Sequence, residues 1–294
     1  MREQRVMETT ASPNPSQEIE SLDAREDYAR IAFLLSYQLF PLTIEKALEY
    51  ALFKTYASPR ISKLLAATGE FTKRPQKRYD DTVLVLAEIT ENGHDSGRGQ
   101  ASYARLNAMH GRFNINNDDF LYTLGTFIFE PIRALKLYGP RPMTPHEEDA
   151  WFQSYLRLGR GMGIQDLPTD LQAFHTWYKA YEKEHFRLAK TNRIVADSTV
   201  EVLFDMLRVP SVLRPFSHRV LVALMEPHVA KAFGYDAPSK PLRAAVSAMM
   251  RLRRTIAALL PENTSLRLQT QRRLRSYPNG YLIERLGTFA ATPP

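Results

Sequence analysis

The feature that most limits the fold is an apolar repeat of three and four residues that recurs along nearly the whole chain. That spacing gathers apolar side chains on one stripe of a helix, whereas a half-buried strand needs strict alternation. Tyr28 to Leu39 carries the repeat and stops before Pro41. Thr43 then reads as the cap of a second helix, with Glu45 in its first turn, running to about Tyr56. Arg60 to Ala67 reads as a short helix closed by Gly69. Gln100 to Phe113 follows, with Tyr103, Leu106, Met109, His110 and Phe113 along one face, and then Asp118 to Leu137, where Pro131 is expected to kink the axis.

Thr144-Pro145-His146-Glu147 is a strong helix start: threonine caps, proline fits the first turn, and glutamate can reach back to the cap. Thr169 to Gln172 repeats that pattern and is expected to open a helix to about Thr191. Asp197 to Leu207, Phe216 to Ala232 and Leu242 to Leu260 follow. The last is amphipathic, with Leu242, Ala245, Met249, Leu252, Ile256 and Leu259 on one face and Arg243, Arg251 and Arg254 opposite.

Only Tyr79 to Ile89 resists assignment, because a nearly continuous apolar run suits a buried helix and a strand alike. No alternation of strands with helices occurs, and no repeat period is evident. The sequence therefore predicts an all-α fold: one globular helical domain over residues 23–289, globin-like in packing style, after a disordered polar tail over residues 1–22. A small strand pair stays open.

The chain has 294 residues and no cysteine, which removes disulfides, thiolate-ligated haem, cysteine-held clusters and cysteine nucleophiles. Its apolar runs fall well short of the about 20 residues a membrane span needs, and its first residues lack the apolar core of a secretory signal. A cytoplasmic protein is expected. The net charge of +7 is concentrated at the end, where Lys240 to Pro294 holds ten basic and two acidic residues. Such a stretch reads as a solvated face or as a surface for anionic lipid or nucleic acid. The tail lacks the interleaved aromatic platform of single-strand binders, although Tyr277 and Tyr281 are present, so no nucleic acid is expected.

Seven histidines fall into no paired metal-ligand spacing. His146 is expected to be exposed in its capped first turn, His175 and His185 to lie at the surface, and His94, His218 and His228 to be structural. His110 differs, because it lies on an apolar stripe. An imidazole there needs either two hydrogen bonds or one hydrogen bond and one metal. Arg78 and Thr82, four apart, share a helix face. A half-buried Arg78 wants a carboxylate, either Asp80, Asp118 or Asp119, or one belonging to a bound group. No serine elbow and no phosphate-binding glycine loop is present.

Read in order, KRYDDT, ENGHDSGRGQASYARLNAMHGRFNINNDDFLYTLGTFIFEPIR, YGPRPMTPHEEDAW, RGMGIQDLP and WYKAYEKEHF with Asn192 resemble the MpaB and latex-clearing (rubber oxygenase) family over residues 70–206. YPNGYLIERLG resembles the family's end. The resemblance implies an all-α fold with a haem-sized pocket, haem b bound through one histidine, and use of dioxygen on an apolar, isoprenoid or prenylated substrate with cleavage of a C=C bond. Position by position, it makes His110 the iron ligand and puts Arg78 and Thr82 beside the haem, Arg78 steadying a propionate or the pocket and Thr82 lining it with a hydroxyl. The glutamate base of the latex-clearing branch has no convincing counterpart, Glu70 being the nearest acid. The membrane anchor of the fungal branch is not expected here, so a greasy substrate would be reached by peripheral contact of the basic helices over residues 240–289 with an anionic membrane. The competing expectation is a non-catalytic helical protein holding a lipid or pigment in the same pocket.

Overall fold

The computed structural model describes residues 14–288, and among these every regular element is helical. Fourteen α-helices follow one another: α1 (Pro15–Ser21), α2 (Tyr28–Leu34), α3 (Pro41–Thr55), α4 (Pro59–Thr68), α5 (Glu70–Lys73), α6 (Pro75–Asn92), α7 (Gly97–His110), α8 (Asn117–Tyr138), α9 (Pro145–Gly161), α10 (Leu171–His185), α11 (Lys190–Met206), α12 (Arg214–Leu224), α13 (Pro227–Phe233) and α14 (Lys240–Leu259). A π turn at Leu35–Leu39 extends α2. The strand option survives only as an isolated bridge between Leu274 and Tyr277. The expected disordered tail is corrected in part: Pro15–Ser21 is a helix capped by the Asn14 side chain, while residues 1–13 lie outside the described part.

Cap chemistry explains most boundaries. Thr144 and Glu147 form the reciprocal capping box, and Arg141 grips both oxygens of Glu147 at 2.7 Å. Proline rather than Thr43 starts the second long helix, since Pro41 occupies its first turn. Asp170, not Thr169, caps α10 by accepting from the Ala173 amide at 2.6 Å. That helix stops at His185 rather than near Thr191, and the next, expected from Asp197, already starts at Lys190. Pro227 likewise divides the segment expected as Phe216 to Ala232.

α8, 22 residues long, is the central element, with α3, α9 and α10 packed against it. Gly125 lets the α10 aromatics close on it, because a β-carbon there would meet the Tyr178 ring at 3.0 Å and that of Phe174 at 3.2 Å. Tyr122 of α8 stacks between Tyr178 and Tyr181, at centroid distances of 5.1 and 4.2 Å. A second apolar cluster joins α3, α11 and α13 around Phe53, Val195 and Phe233. Tyr79 to Ile89 is helical, since α6 is covered on two sides: α7 packs against it, and the non-helical C-terminal segment ties down to it. The Ser276 amide donates to Asp80, the Gln269 amide to Glu91, and Tyr277 to Asp81.

No described helix alone is long and apolar enough to cross a membrane. One pair, Tyr28–Leu39 with Pro41–Thr55, passes that test together but bends by 108°.

Candidate functional site

One face of α6 lines an apolar cavity of about 600 Å³, walled elsewhere by α3, α8, α9 and α11. The volume falls within the range of cofactor and small-molecule sites. The α6 stripe that borders it runs from Pro75 to Thr90, roughly 22 Å at 1.5 Å per residue. The cavity reaches the surface at Leu42 and Leu207, 51% and 61% exposed, where Arg253 of α14 also borders it.

Arg78 and Thr82 both belong to this wall. One helical turn apart, they are joined by a hydrogen bond in which the Arg78 guanidinium donates to the Thr82 hydroxyl, and that hydroxyl donates to the Arg78 carbonyl at 2.9 Å. The guanidinium also lies over the Phe71 ring, 5.6 Å from its centre. Of the carboxylates considered from sequence, Asp118 is exposed in the first turn of α8 and the other two are engaged elsewhere. Asp80 accepts from Gln76 and Ser276, and Asp119 from Arg60 and Tyr181. None of the salt bridges among the described residues involves Arg78. Glu70 is buried and paired with Arg74 at 2.6 Å.

His110 ends α7 and is half-buried, its ring edge-on to Phe120 at 5.2 Å. Its Nδ1 is buried and has no hydrogen-bond partner. Burial first, and the nearby charge of Arg78 second, push the imidazole down to about 4, so it is neutral at physiological pH. A neutral imidazole with an unused buried nitrogen is the state a metal ligand needs. The expected trio is nevertheless divided: Arg78 and Thr82 line the cavity, whereas His110 is not among its lining residues and is linked to them by the electrostatic effect of Arg78.

The histidine that does line the cavity is His94, expected from sequence to be structural. Its Nδ1 pairs with the Tyr103 hydroxyl at 2.6 Å, and burial lowers it to about 4. His146 is half-buried with Nε2 enclosed and unpartnered, which corrects the expectation of an exposed side chain.

A buried ion network closes the cavity wall at Glu130 and Arg133. Lys54 Nζ, fully enclosed, lies 2.8 Å from Glu130, 2.6 Å from Glu182 and 3.0 Å from Glu226. Glu182, Glu226 and His228 stand close enough together to bind a cation, but the Lys54 ammonium already takes the two carboxylates. Lys54, Lys179 and Arg133 balance the three acids. No local spacing signals this group, since Lys54 and its partners lie 76 or more residues apart.

The catalytic-domain family described as "ER-bound oxygenase mpaB/B'/Rubber oxygenase" matches residues 47–258. The chain belongs to this family. That match is wider than the residues 70–206 carrying the motifs, and takes in the second half of α3 and most of α14. Among named relatives, the ER-bound oxygenase mpaB' of Penicillium brevicompactum is 30% identical over 251 residues, covering 78% of this chain and 59% of the relative. The ER-bound oxygenase mpaB of Penicillium roqueforti (strain FM164) is 32% identical over 214 residues, 67% of this chain and 71% of the relative. The chain thus spans about three fifths of the first and about seven tenths of the second. Oxygenase-family membership, the all-α architecture and the helical cavity agree with one another.

Proposed function

We propose that this chain is a haem-dependent oxygenase that uses dioxygen on an apolar substrate, isoprenoid or prenylated chains included, with oxidative cleavage of a C=C bond. The observation that carries this reading is a buried, unpartnered imidazole nitrogen on His110 beside Arg78, an arginine without a protein carboxylate. Both groups fit haem b: one supplies a neutral nitrogen for iron, the other a cation for a propionate. The bound haem would supply the activation of dioxygen. In this reading His110 would hold the iron, Arg78 would pair with a propionate, and Thr82, bonded to the Arg78 side chain, would offer its hydroxyl to the pocket. The apolar wall excludes water and selects an apolar substrate. Contact of the basic C-terminal helices with an anionic membrane belongs to the same reading, since such substrates concentrate in lipid.

The test is an absorption spectrum of the purified protein with an iron and haem assay. A Soret band is expected, lost in His110→Ala while the far-UV circular dichroism is retained. A second reading, a non-catalytic protein holding a lipid or pigment, is favoured by how few polar groups the cavity offers. It predicts a colourless protein that takes up no haem and releases an organic ligand on extraction.

A further inference from the structure

α14 departs from ordinary amphipathic packing, because its apolar stripe is turned outward. In its 20 residues only Val246 is buried, and Met250 and Ala257, on the same side, are half-buried. The stripe of Met249, Leu252, Ile256 and Leu259 lies roughly a third of a turn away on a 3.6-residue helix. Those four side chains are 53%, 62%, 51% and 82% exposed. α12 packs on α14, and Val212 in the turn before α12 is 81% exposed and Phe216 in its first turn 60%. Scattered exposed leucines need no explanation, but an outward apolar ridge on a long helix does.

Two features of this face select its partner. The first is charge: α14 carries Lys240, Arg243, Arg251, Arg253 and Arg254 and no acidic residue. An apolar stripe with Arg243, Arg251 and Arg254 on the opposite face is the make-up of an interfacial helix on a bilayer containing anionic lipid, where the stripe enters the acyl boundary and the long cationic side chains reach the headgroups from the polar face. The second is position: the cavity wall includes Met250 and Arg253 of α14, Leu221 and Leu224 of α12, and the exposed Leu207 at the end of α11. The opening of the apolar cavity therefore adjoins the apolar ridge.

We propose that the outer face of α12 and α14 docks on an anionic bilayer and that the cavity opens into it beside Leu207, so that an apolar molecule passes from lipid to cavity without entering water. Both halves rest on the proposed function, the docking on its membrane contact and the opening on the cavity as an apolar substrate site, but neither experiment uses haem or turnover, so their failure and the failure of haem binding are distinguishable.

Full-length protein is tested by co-flotation with vesicles of phosphatidylcholine alone and of phosphatidylcholine mixed with phosphatidylserine. Binding at least about tenfold stronger to the mixed vesicles, weakening as salt rises, is expected. Leu252→Glu with Ile256→Glu should reduce it about tenfold or more at unchanged helicity and melting temperature, because both side chains are exposed. Lys240→Glu with Arg251→Glu should remove the preference for phosphatidylserine. Absence of vesicle binding by the parent protein, or equal binding by the Leu252/Ile256 variant, overturns the docking. So does a parent protein that self-associates in sedimentation, stops doing so in that variant and never floats, which would make a second copy the occupant. For the opening, a tryptophan at position 207 (Leu207→Trp) should be quenched by brominated lipid. One at position 282 (Leu282→Trp), 56% exposed on the segment packed against α7, should not. Quenching at 282 but not at 207 overturns the lipid-facing opening.

Discussion

Arg78 of α6 acts electrostatically on His110 at the end of α7, and its positive charge helps keep that imidazole neutral. The two residues lie 32 positions apart, on helices that pack side by side. Because burial is the larger cause and Arg78 the smaller, Arg78→Gln should raise the His110 pKa above about 4 yet leave it below the ordinary 6.5. An NMR titration of the His110 ring checks this. An unchanged midpoint would show that the two side chains do not sense one another.

Lys54 gives the sharpest stability prediction. Lys54→Met fills the same space but leaves Glu130, Glu182 and Glu226 facing one another without the shared ammonium. Removing one member of a buried charge group typically costs about 3–5 kcal/mol. Urea unfolding at neutral pH should show a loss of that order, and the loss should shrink in acid as the carboxyls protonate. A variant as stable as the parent would mean that the network is not a stabilising junction.

How much of this was legible in sequence varies with how local each signal is. The cap at Thr144 and the break at Pro41 are written within four residues, and they appear where the pattern puts them. Arg78 and Thr82 share a helix face by spacing alone, and they share the cavity. The helical state of α6 was not legible, because a segment covered on two sides has no polar face to mark its period. Periodicity found the apolar stripe of α14 but not its direction, since a stripe looks the same whether it faces a core or a membrane. His94 and Lys54 escaped for a third reason: their surroundings come from other helices, and nothing beside them in the chain records those partners. His110 was singled out by its apolar neighbours, and the finding that its nitrogen lacks a partner required coordinates.

Asn192 is a buried joint between α4, α11 and α13. Its Nδ2 donates toward the carbonyls of Ala57 and Ala232, each at 3.0 Å, and Arg187 at 2.8 Å, while Oδ1 accepts from Ser62 at 2.5 Å. Asn192→Leu keeps the volume but strands these buried groups, for a cost of roughly 2–4 kcal/mol. Thermal unfolding should fall by several degrees, whereas Arg193→Ala on the exposed side of the same helix should change little.

The pH response of the fold should carry the mark of His94. Its folded pKa is about 4, set by burial and by Arg157 against a small opposing effect of Asp95, while the unfolded chain titrates near 6.5. Above pH 6.5 both states hold the ring neutral, and it contributes no pH dependence. Between 6.5 and 4 the unfolded chain takes up a proton that the native site refuses, so stability falls as pH drops through that window. Across the full window the effect is on the order of 3 kcal/mol or less. His110 shifts in the same direction over the same range. His94→Gln should therefore lower stability at pH 7 by losing the Tyr103 contact, yet flatten the decline between pH 6.5 and 4. Urea midpoints measured across that range in both proteins decide it: parallel curves would mean that the buried imidazole takes up its proton in the folded state as readily as in the unfolded one.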